Sequence, residues 1–355
     1  MRRLLEVAAL IACGAALLPS GAVAAEPPAP LPRRLSEVGL FAPGSPLEIR
    51  PELVPFSPQY PLWSDGAEKR RWLELPPGTS VNAADIDAWE FPPGTRLFKE
   101  FALAGRPVET RLIERLGDGS WRFATYVWRE DGSDADLAPA DGIRRLPRAG
   151  APNGRYAIPS EYDCRACHEG SAGPVLGFSA LQLSGDRDAF APNAEALDLD
   201  QLRAFVERGI VRNLPPSALD APPRIAAQTP VERAALGYLH GNCGHCHSAP
   251  SAAGSAVPVP VVLQQSAADP AASAARTLRS LVDTASRFRP PGASDDARVV
   301  APGSAGASVL TARMRSRDPR VQMPPLATVV PDPEALALIE RWINHDLQHH
   351  EDTKP

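Results

Sequence analysis

The chain reads as an α+β multidomain protein: an N-terminal antiparallel β domain followed by a mainly α-helical half. Three observations predict this. Strand-like alternation with Pro-Gly turns is confined to residues before about Tyr156. Helices with capping signals and apolar periodicity follow it. The helical half also holds two Cys-x-x-Cys-His pentapeptides, Cys164–His168 and Cys243–His247, which use every cysteine outside the first 25 residues.

Taken in order, Met1-Arg2-Arg3 is a short basic start, Leu4 to Leu18 is largely apolar, and Ala22-Val23-Ala24-Ala25 offers small residues for cleavage. Residues 1–25 therefore read as a secretory signal peptide, too short and interrupted to span a bilayer. A lipoprotein is the rival reading, because Leu10-Ile11-Ala12-Cys13 resembles a lipobox with Cys13 as the lipidated residue. Against it, Ala15 to Leu18 stays apolar after the cysteine and Glu6 interrupts the stretch before it. Losing this leader moves the net charge from −5 to −6, since Arg2, Arg3 and Glu6 go with it. That mild acidity argues against nucleic acid as a partner. The 40 prolines are about twice the usual share and predict extended segments and loops.

Residues 26–156 form the β-rich domain, opened by a Pro-rich, mobile lead-in over 26–36. Thr95 to Phe101 and Val108 to Ile113 alternate, Gly117-Asp118-Gly119-Ser120 is a turn, and Trp121 to Trp128 is the next strand. Pro76-Pro77-Gly78 and Pro92-Pro93-Gly94 punctuate further strands. Asp65, Glu68, Lys69 and Arg70 are expected to form a solvated turn.

Residues 157–228 carry the first pentapeptide and then a helix from Leu199 to Arg208, with Asp198 as N-cap, Gln201 as its partner and Gly209 as stop. Residues 229–355 are clearer. Thr229-Pro230-Val231-Glu232 is a capping box opening a helix to about His240, which feeds the second pentapeptide. Residues 248–275 are rich in Ala, Ser and Pro and read as loop, and a helix is expected near Ser308 to Arg315. Met323-Pro324-Pro325 follows, and Asp332-Pro333-Glu334 opens a last helix through His345.

Cys-x-x-Cys-His is the attachment signature of c-type haem. Two thiols add across the two vinyl groups of one haem, and the adjacent histidine reaches under the ring to the iron. A disulfide or a zinc knuckle is the alternative. Zinc, however, asks for four ligands at paired spacing, and here each histidine abuts its second cysteine. Two covalent haems are thus expected, on Cys164, Cys167 and His168, and on Cys243, Cys246 and His247. Such attachment takes place outside the bacterial cytoplasmic membrane, in keeping with the leader. The order helix, pentapeptide, long loop, Met-Pro-Pro, terminal helix is that of class I cytochromes c, in which first and last helices cross at small residues; Gly237 is placed for this.

Met323 is the distal ligand expected for the second haem, since a thioether favours reduced iron and the prolines after it stiffen the loop. Met314 sits on a helix and reads as core, and His240 reads as either solvent-facing or packing. His245 should face away from the iron, and His345, His349 and His350 should face solvent. For the first haem no distal ligand stands out: a distant side chain closes it, or the iron is five-coordinate. A saturated iron passes electrons, whereas an open one binds and activates small ligands.

With these residues in hand, the chain resembles a family of bacterial exported dihaem c-type cytochromes with a β-rich N-terminal domain. The matching phrases are Pro61 to Lys69, Phe91 to Thr95, Glu109 to Leu112, Asp163 to His168 with Leu176-Gly177, Tyr238 to Cys243, Pro302-Gly303-Ser304 with Ser308 to Leu310, Met323 to Leu326, and Trp342-Ile343. The resemblance spans nearly the whole chain after the leader. It implies a periplasmic electron-transfer protein with protein redox partners and no particular substrate. A peroxidase-like or oxygen-activating enzyme with an open first haem is the rival, and a haem-based sensor a third. The β domain holds no histidine or cysteine, so it is expected to dock a partner or shield the first haem.

Overall fold

The structure is a computed structural model that describes residues 29–45, 47–169, 173–195, 200–248, 260–292 and 294–347. The expected signal peptide, Cys13, the N-cap Asp198, His349 and His350 lie outside the described residues. Among the described residues there are ten strands: β1 (Val54–Pro55), β2 (Glu68–Glu74), β3 (Val81–Asn82), β4 (Arg96–Leu103), β5 (Arg106–Arg115), β6 (Trp121–Trp128), β7 (Ala135–Leu137), β8 (Ile143–Pro147), β9 (Arg155–Ile158) and β10 (Val211–Arg212). Six of them make one sheet in the order β1-β2-β4-β5-β6-β7, antiparallel throughout. The β4–β5 hairpin turns on two residues, Ala104 and Gly105, both at positive φ, a geometry that matches the strand twist. The β5–β6 turn is the expected one, with Gly119 at positive φ and Asp118 accepting the Ser120 N–H at 2.8 Å.

Alternation gives the sheet two apolar faces. Trp72, Phe98, Leu112, Tyr126 and Trp128 point to one side, where Leu35, Leu40 and Phe41 cover them. The mobile lead-in expected over 26–36 is therefore corrected from residue 31 onward. The Tyr126 hydroxyl donates to the Pro32 carbonyl at 3.0 Å, and Leu35 is fully buried. Leu73, Leu97, Ile113, Trp121 and Phe123 point to the other side, toward Phe178 and Phe205 of the segment that follows the first pentapeptide.

The helices are α1 (Glu161–His168), α2 (Gln201–Glu207), α3 (Ser217–Asp220), α4 (Pro230–Cys243), α5 (Pro270–Leu281), α6 (Val309–Arg315) and α7 (Pro333–Arg341), the last continuing as a π-type turn over Trp342–Asp346. Asp200, whose carboxylate accepts the Arg203 N–H at 3.2 Å, caps α2 at Gln201, and Leu199, the expected start, lies outside the described residues. The loop expected over 248–275 is also corrected, because Pro270 opens α5. Asp269 caps it through the Ala272 N–H at 3.1 Å, the same Asp-Pro opening that starts α7 at Asp332. β10 pairs in parallel with β3 and so ties the segment after the first pentapeptide back to the sheet half.

Leu236, Leu239, Ile339, Trp342 and Ile343 bring α4 and α7 together in one core with Met314. Tyr60 belongs to that core, and this corrects the role expected for Gly237. A Cβ on Gly237 would collide with the Tyr60 ring, and one on Gly241 with the Tyr60 backbone. The small residues of α4 thus admit a side chain from the β-rich half instead of the terminal helix. Leu31–Pro355 makes one compact unit, inside which the expected boundaries at 157 and 229 fall.

Candidate functional site

The first pentapeptide lies on α1. Ser160 caps this helix by accepting the Asp163 N–H at 3.1 Å, and the Asp163 carboxylate takes the Ser160 N–H at 2.9 Å in return. Arg165 braces both turns through Glu161 and Glu169. The helix then rests on β6, with the His168 ring 5.3 Å from Phe123 and the Arg165 guanidinium 5.4 Å from the same ring. His168 Nδ1 lies 2.7 Å from the Pro174 carbonyl. A carbonyl only accepts, so Nδ1 carries the proton and Nε2 keeps its lone pair. Burial drives the His168 pKa down to about 4, which keeps the ring neutral.

Thr229 starts α4 by accepting the Glu232 N–H at 3.0 Å, and Gln228 N–H donates to the Glu232 carboxylate at 2.9 Å. The helix runs on to Cys243, three residues past the expected end, and hands the chain into the second pentapeptide. There the Cys246 and His247 N–H groups both return to the Cys243 carbonyl, at 3.1 and 2.9 Å. Burial also lowers the His247 pKa. Its Nδ1 is buried beside the Val261 carbonyl without a hydrogen bond of good geometry.

The fold brings the two pentapeptides into contact. The Cys167 thiol of the first unit lies close to Cys246 and His245 of the second. The neighbouring Cys246, then burial, pushes the Cys167 pKa up to about 12, whereas that of Cys246 is lowered. Burial raises Cys164 to about 11 and Cys243 to about 12. All four cysteines are free, so four thiols and two neutral imidazoles stand available within one region. Among the described residues, no group of three or more His, Cys, Asp or Glu side chains is gathered as for a single metal ion.

Cys164, Cys167 and His168 line a cavity enclosing about 1110 Å³ of empty space, counting its mouth. One wall is the sheet, through Leu97, Ile113 and Phe123; Val175 and Leu176 make another, and Leu326 and Ala327 close it from the Met323 loop. A second cavity, at Trp89 and Phe91, is lined by His240 of α4 and His245 of the second motif. His240 is half-buried with its Nδ1 accepting the Gln265 N–H at 3.1 Å, the packing alternative of the two expected for it. His345 is exposed. Met323 is half-buried and lines neither cavity; its N–H donates to the Arg313 carbonyl at 3.0 Å.

The solvated turn expected at Asp65 is instead a clamp. Asp65 accepts the N–H groups of Val329 and Val330, at 2.9 and 3.0 Å, and so holds the loop that carries Met323. Trp63 Nε1 donates to the Val330 carbonyl at 3.1 Å, and the Trp63 N–H donates to the Asn242 side chain at 2.7 Å. Glu68 and Arg70 do face solvent, but Lys69 points inward to the Leu62 carbonyl at 3.0 Å, with its pKa lowered by burial to about 8. Pro61 to Asp65 thus holds together the residue before Cys243 and the loop after Met323. The phrase was visible in the sequence, but nothing local signalled partners more than 170 residues away.

No protein-family model, curated protein or solved structure matches this chain.

Proposed function

We propose that the chain is an exported, periplasmic dihaem c-type cytochrome that carries single electrons between partner proteins. The observation that carries this reading is the contact of the two Cys-x-x-Cys-His units through Cys167, His245 and Cys246. Units that serve separate ends of a molecule have no need to touch. Two redox groups held on touching units would exchange electrons over a short path.

The residues fit the group on three counts. Each unit offers two free thiols for the vinyl carbons. Each offers a histidine kept neutral by burial. His168 gives its Nδ1 proton to a backbone carbonyl, the orientation that metal-ligating histidines adopt. Haem would supply the one-electron iron couple. This chain's residues would hold it by Cys164, Cys167 and His168, and by Cys243, Cys246 and His247, exclude water with the β-sheet wall, and set its potential. Met323 is the distal ligand proposed for the second haem.

The second reading, a peroxidase-like enzyme open at the first haem, draws on one feature. Among the described residues lining the His168 cavity there is no methionine and no other histidine.

Mass spectrometry of protein matured with haem-attachment machinery should show two haem additions. Low-temperature EPR then separates the readings. Two low-spin signals support the relay, and a high-spin signal beside a low-spin one favours the enzyme. Met323→Ala should keep both haems and lower the potential of one; an unchanged redox titration removes Met323 from the ligand set.

A further inference from the structure

The strand register lines up three cations. Arg71 of β2 pairs with Lys99 of β4, and Lys99 pairs with Arg111 of β5. Directly opposed residues share a face, and like charges so placed destabilise a sheet. All three side chains line the cavity that holds Cys164, Cys167 and His168. The outer two are answered by carboxylates, Arg71 by Glu195 and Arg111 by Glu109. The central one is not: among the described residues no carboxylate lies in ion-pair range of Lys99.

Lys99 meets an aromatic ring. Its Nζ stands 4.8 Å from the centroid of the Phe101 ring, and the Arg111 guanidinium stands 4.3 Å from the same ring. Lys69 adds a further positive charge nearby, with Glu195 opposing it. Lys99 is half-buried and lines the cavity. Burial, with Arg71 and Arg111 beside it, holds the Lys99 pKa well below its usual value, so its charged form is costly unless an anion meets it. Nothing about strand formation asks for three cations abreast, since an apolar residue at the central position would serve the sheet better.

We propose that Arg71, Lys99 and Arg111 form an anion site inside the His168 cavity, with Lys99 as the residue that binds a carboxylate or a comparable small oxyanion. Two sources share this chemistry. One is a propionate of a haem attached at Cys164 and Cys167, and this source rests on the function proposed above. The other is a free anion entering the cavity, which would suit a reactive first haem.

The test uses the full haem-loaded chain and the variants K99M and K99R, with haem content measured first. For a propionate, K99M lowers the potential of one haem. Loss of the cation leaves the carboxylate charge to favour ferric iron, and a tenfold shift in the reduction equilibrium is about 59 mV for one electron. K99R retains the wild-type potential, and added acetate or nitrite leaves the spectra unchanged. For a free anion, nitrite or acetate perturbs the wild-type haem spectrum saturably, at least tenfold more weakly in K99M. Either pattern supports the site. An unchanged potential together with equal anion response in K99M overturns it. If the wild type carries no haem, the haem reading fails and the propionate source with it. The free-anion source is then decided by melting: acetate raises the Tm of the wild type but not of K99M if the site exists, and equal responses overturn it.

Discussion

Tyr60 enters the groove left by Gly237 and Gly241, and its hydroxyl donates to Asp188 at 3.1 Å. A single methyl group at position 237 would have to displace that ring. Gly237→Ala should therefore destabilise the protein by about 1–3 kcal/mol, the usual range for overpacking, as read from urea unfolding. If Tyr60 is the cause, a smaller residue at position 60 should recover part of the loss. His240 is the second residue with a measurable signature. Its pKa falls to about 4 through burial, against about 6.5 in an unfolded chain. A depressed folded value means stability that is intact above pH 6.5 and is lost as the pH falls toward 4. His168 acts in the same window with the same sign in the haem-free protein. His240→Gln should remove one of these two contributions, reducing the slope of unfolding free energy against pH by up to about 1.4 kcal/mol per pH unit. An unaltered slope would mean that His240 is not titrated on unfolding.

Helices α4, α5 and α7 begin alike, with Thr or Asp as N-cap and proline at the first helical position. This opening was legible at Thr229 and Asp332 because apolar periodicity follows it. It is masked at Asp269, where the following residues are mostly Ala, Ser and Arg and carry no clear apolar periodicity. There the helix is held by packing: Ser273, Ala274, Thr277 and Leu281 are buried. Asp269→Ala should cost about 1 kcal/mol in thermal or urea unfolding, the usual value of an N-cap. The strands show the opposite balance. Their positions were readable from alternation and turns, but which strand lies beside which was not. The row Arg71, Lys99, Arg111 exists only through register, since residues 28 and 12 positions apart in sequence meet side by side.

At the scale of the molecule, the sheet half and the helical half share side chains. Tyr60 lies in the core of α4 and α7, Phe178 and Phe205 lie against the sheet, and Asp65 holds the Met323 loop. Unfolding should accordingly be a single transition in urea, with tryptophan fluorescence and far-UV circular dichroism giving one midpoint. Two separated midpoints would show that the halves are energetically independent.

The sequence by itself determined most of the elements and the place of the two Cys-x-x-Cys-His units. Alternation, caps and turn glycines act over a few residues, and so does the Cys-x-x-Cys-His spacing, so each is complete within a short window. Tertiary structure alone decided that the two pentapeptides touch, that a conspicuous charged phrase at Asp65 is a clamp, and that Gly237 receives a tyrosine from the other half. Those outcomes depend on contacts between residues far apart along the chain, and one linear sequence carries no local signal of which distant surfaces will close on one another.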